Sequence, residues 1–156
     1  MVVIGRVKEI MKSDEYPSVF DLISDEEIKD KDIILDYLKK GRVTAAAPAI
    51  VHDIVSGERI NIELLMMDDG KYAWRSDVIY YFEKYNMCLS DDFVLHVYRK
   101  LKLKAVDDFL NEYGKNGTSG VICPICRTAL SYIQSGNSFI VKCGTADCLY
   151  SAFRGI

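Results

Sequence analysis

The spacing of apolar positions changes several times along the chain, and each change marks an expected element. Residues 2–12 read as helical. Residues 13–30 are polar and contain Pro17, so they are expected to be irregular apart from an apolar patch at Val19, Phe20, Leu22 and Ile23. Ile34, Tyr37 and Leu38 share one helical face, which predicts a helix over 32–40 with Asp32 as its cap and Gly41 as its stop. From Ala47 the pattern turns to strands at 50–55, 60–67 and 71–75, separated by turns at Ser56-Gly57 and Asp69-Gly70. A turn at Asp69-Gly70 would set Met67 opposite Tyr72 and Leu65 opposite Trp74, with Ile60, Ile62, Leu64 and Met66 on the other face.

Helical spacing then returns. Ser76 is the expected cap of a helix over 77–86. A second helix is expected from Ser90, with Asp91 and Asp92 at its positive end and Arg99, Lys100, Lys102 and Lys104 toward its negative end. Its buried stripe is Val94, Val97, Tyr98 and Leu101, and a short helix over 105–113 follows. A small antiparallel meander with helices to cover both faces is an α+β core. Residues 114–120 hold three glycines and no large apolar side chain, which predicts a seam: an α+β body over 1–114, a linker over 115–120 and a separate module over 121–156.

Composition adds limits. With 49% hydrophobic and 28% charged residues in 156, the chain can bury a real core and is not a disordered sequence. The net charge of −3 gives no global case for binding nucleic acid or an anionic membrane. That charge is unevenly spread, at −6 over 1–114 and +3 over 115–156. No apolar run approaches the ~18 residues of a membrane span, and the start and end carry no secretory or lipidation pattern. A cytoplasmic, membrane-free protein is the expectation, and in a reducing compartment cysteines serve metals better than disulfides.

Four of the five cysteines lie within 26 residues, as Cys123-Pro124-Ile125-Cys126 and then Cys143 and Cys148, a C-x2-C-x16-C-x4-C arrangement. Zinc takes four thiolates at tetrahedral corners, and two cysteines a few residues apart on a tight turn supply two of them. Cys123, Cys126, Cys143 and Cys148 are therefore the expected ligands of one structural Zn2+ per chain, joined by a hairpin around Ser135-Gly136-Asn137. Unrelated buried cysteines, or a redox C-P-x-C motif, are the alternatives; the redox motif needs a βαβ context that the 30 residues after Cys126 do not provide. With four protein ligands no position is left for a reactant, so the metal is expected to hold structure.

This segment, in its Cys-Pro-x-Cys knuckle, its spacer, its wide second knuckle and Tyr150 after the last cysteine, resembles the zinc ribbons that follow bacterial type IA topoisomerase cores. The resemblance implies a ribbon fold and a nucleic-acid surface as one functional alternative, with Arg127, Lys142, Tyr150 and Arg154 as its candidate residues. Tyr132, Phe139, Tyr150 and Phe153 can equally be the ribbon's own packing.

The stretch Asp69-Gly70-Lys71-Tyr72-Ala73-Trp74-Arg75-Ser76-Asp77, continuing through Tyr80-Tyr81-Phe82-Glu83-Lys84-Tyr85 to Leu89, Phe93 and His96, resembles small bacterial immunity proteins against polymorphic or contact-dependent toxins. That resemblance implies a cytosolic protein that masks a cognate toxin stoichiometrically, and an acidic body suits a basic toxin domain. Tyr72, Trp74, Tyr80 and Tyr81 are the candidate partner-binding side chains, with core packing as the competing reading of the aromatics. An enzyme is not expected. His52 and Asp53 are strand neighbours that point apart, His96 has no nucleophile beside it, and Cys88 reads as a small buried hydrophobe.

Overall fold

The sheet of the N-terminal region is built by pairings that are mostly distant in sequence. In the computed structural model, which describes residues 1–154, β1 (Val2–Val3), β6 (Tyr72–Arg75), β5 (Leu64–Asp68) and β2 (Arg42–Ala47) lie side by side in that order. β1 runs parallel to β6, whereas β2 with β5 and β5 with β6 are antiparallel. The helix expected over 2–12 is reduced to α1 (Lys8–Met11). Val2 and Val3 instead find β6, and Gly5, at φ 67, turns the chain where any side chain would collide with Val78.

The meander is also shorter than expected. The stretch over 50–55 contributes only β3 (Val51–His52), and 60–67 is broken into β4 (Arg59–Ile60), paired with β3, and the separate β5. The β5–β6 turn lies at Gly70-Lys71, because Asp69 accepts from the amides of Lys71 and Tyr72 and Gly70 supplies φ 92. Trp74 therefore faces Met67 and not Leu65, a slip of two residues that preserves the faces.

Helices α2 (Val19–Leu22) and α3 (Lys31–Lys39) lie between β1 and β2 in the chain. Ser18 and Asp21 form a reciprocal capping box on α2. α3 begins after Asp30, whose side chain makes no capping bond, so Asp32 is not the cap. Gly41 has a closer reason than stopping a helix. The Trp74 indole lies against its Cα, so that a Cβ would overlap Trp74, while Trp74 Nε1 donates to Leu38 O at 3.2 Å, a terminal carbonyl of α3. Trp74 and Phe93 are both fully buried, and Phe93 meets Tyr72, Trp74 and Tyr37 edge-on.

α4 (Ser76–Tyr85) follows β6 directly and ends at Asn86 in the left-handed region. Ser76 does not cap it: its hydroxyl donates to Glu63 O and accepts from Leu65 N, tying the helix start to the strand before β6. α5 (Asp91–Asn116) is one continuous helix in place of the two expected, and Gly117, at φ 69, closes it by donating to Tyr113 O.

The chain forms two compact units, Met1–Val94 and the part from Leu95 onward, so the division falls inside α5. In the second unit, β7 (Leu130–Ser135), β8 (Ser138–Cys143) and β9 (Tyr150–Arg154) make an antiparallel sheet in that order. Its inner face joins Leu130, Val141 and Leu149 to Val106 and Phe109 of α5, together with Cys123 and Cys143. Among the described residues no helix is long and apolar enough to cross a membrane.

Candidate metal centre

Two turns of the same construction carry the four cysteines. In the first, Cys123 N donates to Thr128 O, Arg127 N donates to Cys123 O, and Arg127 takes φ 62. In the second, Cys143 N donates to Leu149 O, Cys148 N donates to Thr145 O, and Asp147 takes φ 56. Each turn thus closes on its first cysteine and has one left-handed residue next to its second, Arg127 after Cys126 and Asp147 before Cys148. The turns are cross-linked by Thr128, whose Oγ1 accepts from Gly144 N at 2.9 Å and lies 3.1 Å from Cys126 Sγ. With its oxygen engaged by that amide, the hydroxyl has its proton to direct at the sulfur.

The sulfurs of Cys123, Cys126, Cys143 and Cys148 all lie within 4.8 Å of one another. Cys123 and Cys148 are 3.8 Å apart and Cys126 and Cys143 are 3.5 Å apart. Metal–sulfur bonds of roughly 2.3 Å at tetrahedral angles place ligands about 3.8 Å from each other, so the cluster has the size of a tetrahedral ligand set. It is too open for a disulfide, and all four thiols are free. Cys123 and Cys143 are buried and the other two are half-buried.

The surroundings pull the thiols in opposite directions. The Thr128 hydroxyl, with the Thr145 side chain and the Thr128 amide, holds Cys126 well below the ordinary thiol range. Burial pushes Cys148 up. Burial also raises Cys123, against the amides of Cys126 and Ile125 that favour its thiolate. A metal must displace the protons these sites retain, so its hold weakens in acid.

The remaining aromatic and basic candidates separate cleanly. Phe109, Tyr113, Tyr132, Phe139 and Phe153 form a continuous stack, with ring planes within 13–24° of each other and centroids 4.7–5.7 Å apart. They are internal packing. Tyr150 is outside the stack and 65% exposed. It pairs directly with Lys142 across β8 and β9, and Arg154 lies on the same outer face of the sheet, opposite Ser138. Arg127 is exposed in the first metal turn.

Three of the four expected partner-binding side chains lie in the core, and the fourth is partly accessible. Tyr72, Trp74 and Tyr81 are buried, because the core takes their ring area. Tyr80 is half-buried, and its hydroxyl donates to Asp53. Cys88 is exposed, not buried as expected. His52, the last residue of β3, is exposed, and Asp53, just past the strand, is fully buried.

Sequence reasoning misses Asp53 as the centre of a network. Its carboxylate accepts from Tyr80 Oη at 2.8 Å, Lys84 Nζ at 3.0 Å, Tyr85 Oη and the Val55 amide. Burial would raise it, but these bonds outweigh burial and hold its carboxyl below the usual range. Tyr81 Oη accepts from Ile54 N at 2.9 Å, so α4 pins the β3–β4 excursion at two adjacent residues. No family model, curated protein or solved structure matches the chain.

Proposed function

We propose that the chain is a non-enzymatic, zinc-containing binding protein, and that the outer face of its C-terminal sheet takes nucleic acid. Zinc suits the cysteine set because it accepts four thiolates tetrahedrally and has no redox chemistry to disturb a structural role. A metal held by four protein ligands leaves no position for a substrate. The observation that carries the nucleic-acid reading is the grouping of exposed Tyr150 with Lys142 and Arg154 on one face, since an aromatic platform beside cations is what unpaired bases and phosphates require. Charge supports it. From Leu95 onward there are eight Lys or Arg against four Asp or Glu, net +4, which four thiolates and a divalent ion reduce to +2.

The test is fluorescence anisotropy of the zinc-loaded full chain with a labelled oligonucleotide over a salt series. Binding should weaken steeply with salt, and the double variant Lys142→Ala/Arg154→Ala should flatten that slope by roughly 1.4, at about 0.7 per single-strand phosphate contact. Absence of binding at low salt would overturn the reading.

A second reading is favoured by the opposite charge of the other unit. Met1–Val94 carries twelve Lys or Arg against nineteen Asp or Glu, net −7, and its edge strand β2 is exposed at all six residues. An acidic unit with an open strand edge suits a basic protein, such as a toxin domain masked stoichiometrically by an immunity-type protein. Co-expression decides: a masking protein forms a stable complex with its cognate toxin and rescues the cells that make it.

A further inference from the structure

The nucleic-acid reading, on which the inference drawn from α5 and β9 rests, leaves open which form of nucleic acid is taken and what else touches it. Beside β9 is a cavity of about 580 Å3, lined by Arg99, Lys102 and Leu103 of α5 and by residues 147–151. The three α5 residues stand at i, i+3 and i+4 and so share one face of the helix. Leu103 is 60% exposed and adds an apolar side chain to the lining of the cavity. Arg99 is exposed, and neither it nor Lys102 has an ion-pair partner among the described residues. Tyr150 belongs to both surfaces, lining the cavity and standing beside Lys142 on the outer face. One carboxylate, Asp147, also lines the cavity.

We propose that this groove is a track for single-stranded nucleic acid, in which Arg99 and Lys102 hold backbone phosphates and Tyr150, where groove and outer face meet, stacks on a base. Duplex does not fit this chemistry. Its base faces are already stacked on one another, so an isolated aromatic reaches one only after a base is unpaired, at a cost of a few kcal/mol. A single strand presents free base faces, phosphates and apolar edges together, which are the partners of Tyr150, the two cations and Leu103. An acidic peptide would satisfy the cations and leave the tyrosine without a stacking partner.

The experiment uses the zinc-loaded full chain with labelled oligo(dT), oligo(rU) and a duplex of equal length, and with polyglutamate as competitor. Both single strands should bind, and the duplex should bind at least tenfold more weakly. Arg99→Gln/Lys102→Gln should lower the salt slope by roughly 1.4. Tyr150→Leu should weaken binding about tenfold. Asp147→Asn, which retains a residue tolerant of the left-handed region, should strengthen it a few-fold by removing the one carboxylate that lines the groove. Thermal melts of each variant should match the parent, since Arg99, Asp147 and Tyr150 are exposed and Lys102 is half-buried with a glutamine stem to replace its own. Binding that is lost with Lys142→Ala/Arg154→Ala but unchanged in the Arg99/Lys102 pair would overturn the groove and leave the ribbon reading standing. Equal affinity for duplex, or displacement by polyglutamate as effective as by unlabelled oligo(dT), would overturn the single-strand assignment. No binding to any oligonucleotide removes the reading and the groove together.

Discussion

Asp53 shows what one buried charge does when every nearby donor points at it. Its carboxylate is fully buried, and its partners Tyr80, Lys84 and Tyr85 all come from α4. Replacing it with Ala leaves those groups without their shared acceptor and frees the β3–β4 excursion, at a cost of about 2–4 kcal/mol in chemical denaturation. The pH dependence follows from the depressed carboxyl. A carboxyl lower in the folded than in the unfolded state contributes stability that is present above its unfolded value and is lost as pH falls through the folded one. Between neutral pH and strong acid the parent should therefore lose this contribution, while Asp53→Asn, already without it, should show a flatter profile. Equal profiles would show that the carboxylate gains nothing from its partners. Neither neighbour in sequence signals this role, because the network exists only once α4 is packed 27 or more residues away.

At the scale of elements, the sequence is legible where local chemistry is in control. The cysteine spacing specifies its site because each cysteine turn is closed within six or seven residues, and the amphipathic pattern marks α3 and α4 although neither expected cap serves as one. β2 carries no such local signal. Its sequence is Arg-Val-Thr-Ala-Ala-Ala, and alanine favours helix when nothing else decides, so only pairing with β5 makes it a strand. β1 is hidden for the same reason, since two β-branched residues at the chain start are strand only in the presence of β6. The continuity of α5 across Gly114 is masked by glycine's cost of about 1 kcal/mol, which the stacking of Tyr113 on Phe109 and Tyr132 helps to offset. Gly41 gives the sharpest test at this scale. Its backbone φ does not require glycine, but Trp74 occupies the place of a side chain. Gly41→Ala should destabilise by about 1–3 kcal/mol through overpacking and shift the emission of Trp74, the one tryptophan of the chain. A variant with the parent's melting temperature and spectrum would show that the α3–Trp74 contact is loose enough to admit a methyl group.

Over the whole molecule the two units differ in what holds them. Met1–Val94 is closed by aromatic packing around Trp74 and Phe93. In the other unit two of the four clustered sulfurs, those of Cys123 and Cys143, belong to core residues beside Leu130, Val141 and Leu149. A segment of fewer than 40 residues cannot bury enough surface to fold unaided, and structural zinc sites supply roughly 10–16 kcal/mol of apparent binding energy in small modules. Withdrawal of the metal should therefore act on one unit and spare the other. With a chelator, residues 121–154 should become protease-sensitive while Trp74, which belongs to the first unit, keeps its emission maximum. Lowering the pH should do the same, because protons compete for the raised thiols of Cys123 and Cys148. Cys143→Ser should reproduce the chelated state without any chelator. Limited proteolysis read by mass spectrometry, with tryptophan emission recorded on the same samples, separates the outcomes. Cleavage confined to the cysteine segment marks the metal as the fastener of that unit alone. An unchanged cleavage pattern would mean that the aromatic stack from Phe109 to Phe153 suffices to hold the sheet and that the sulfurs are merely neighbours.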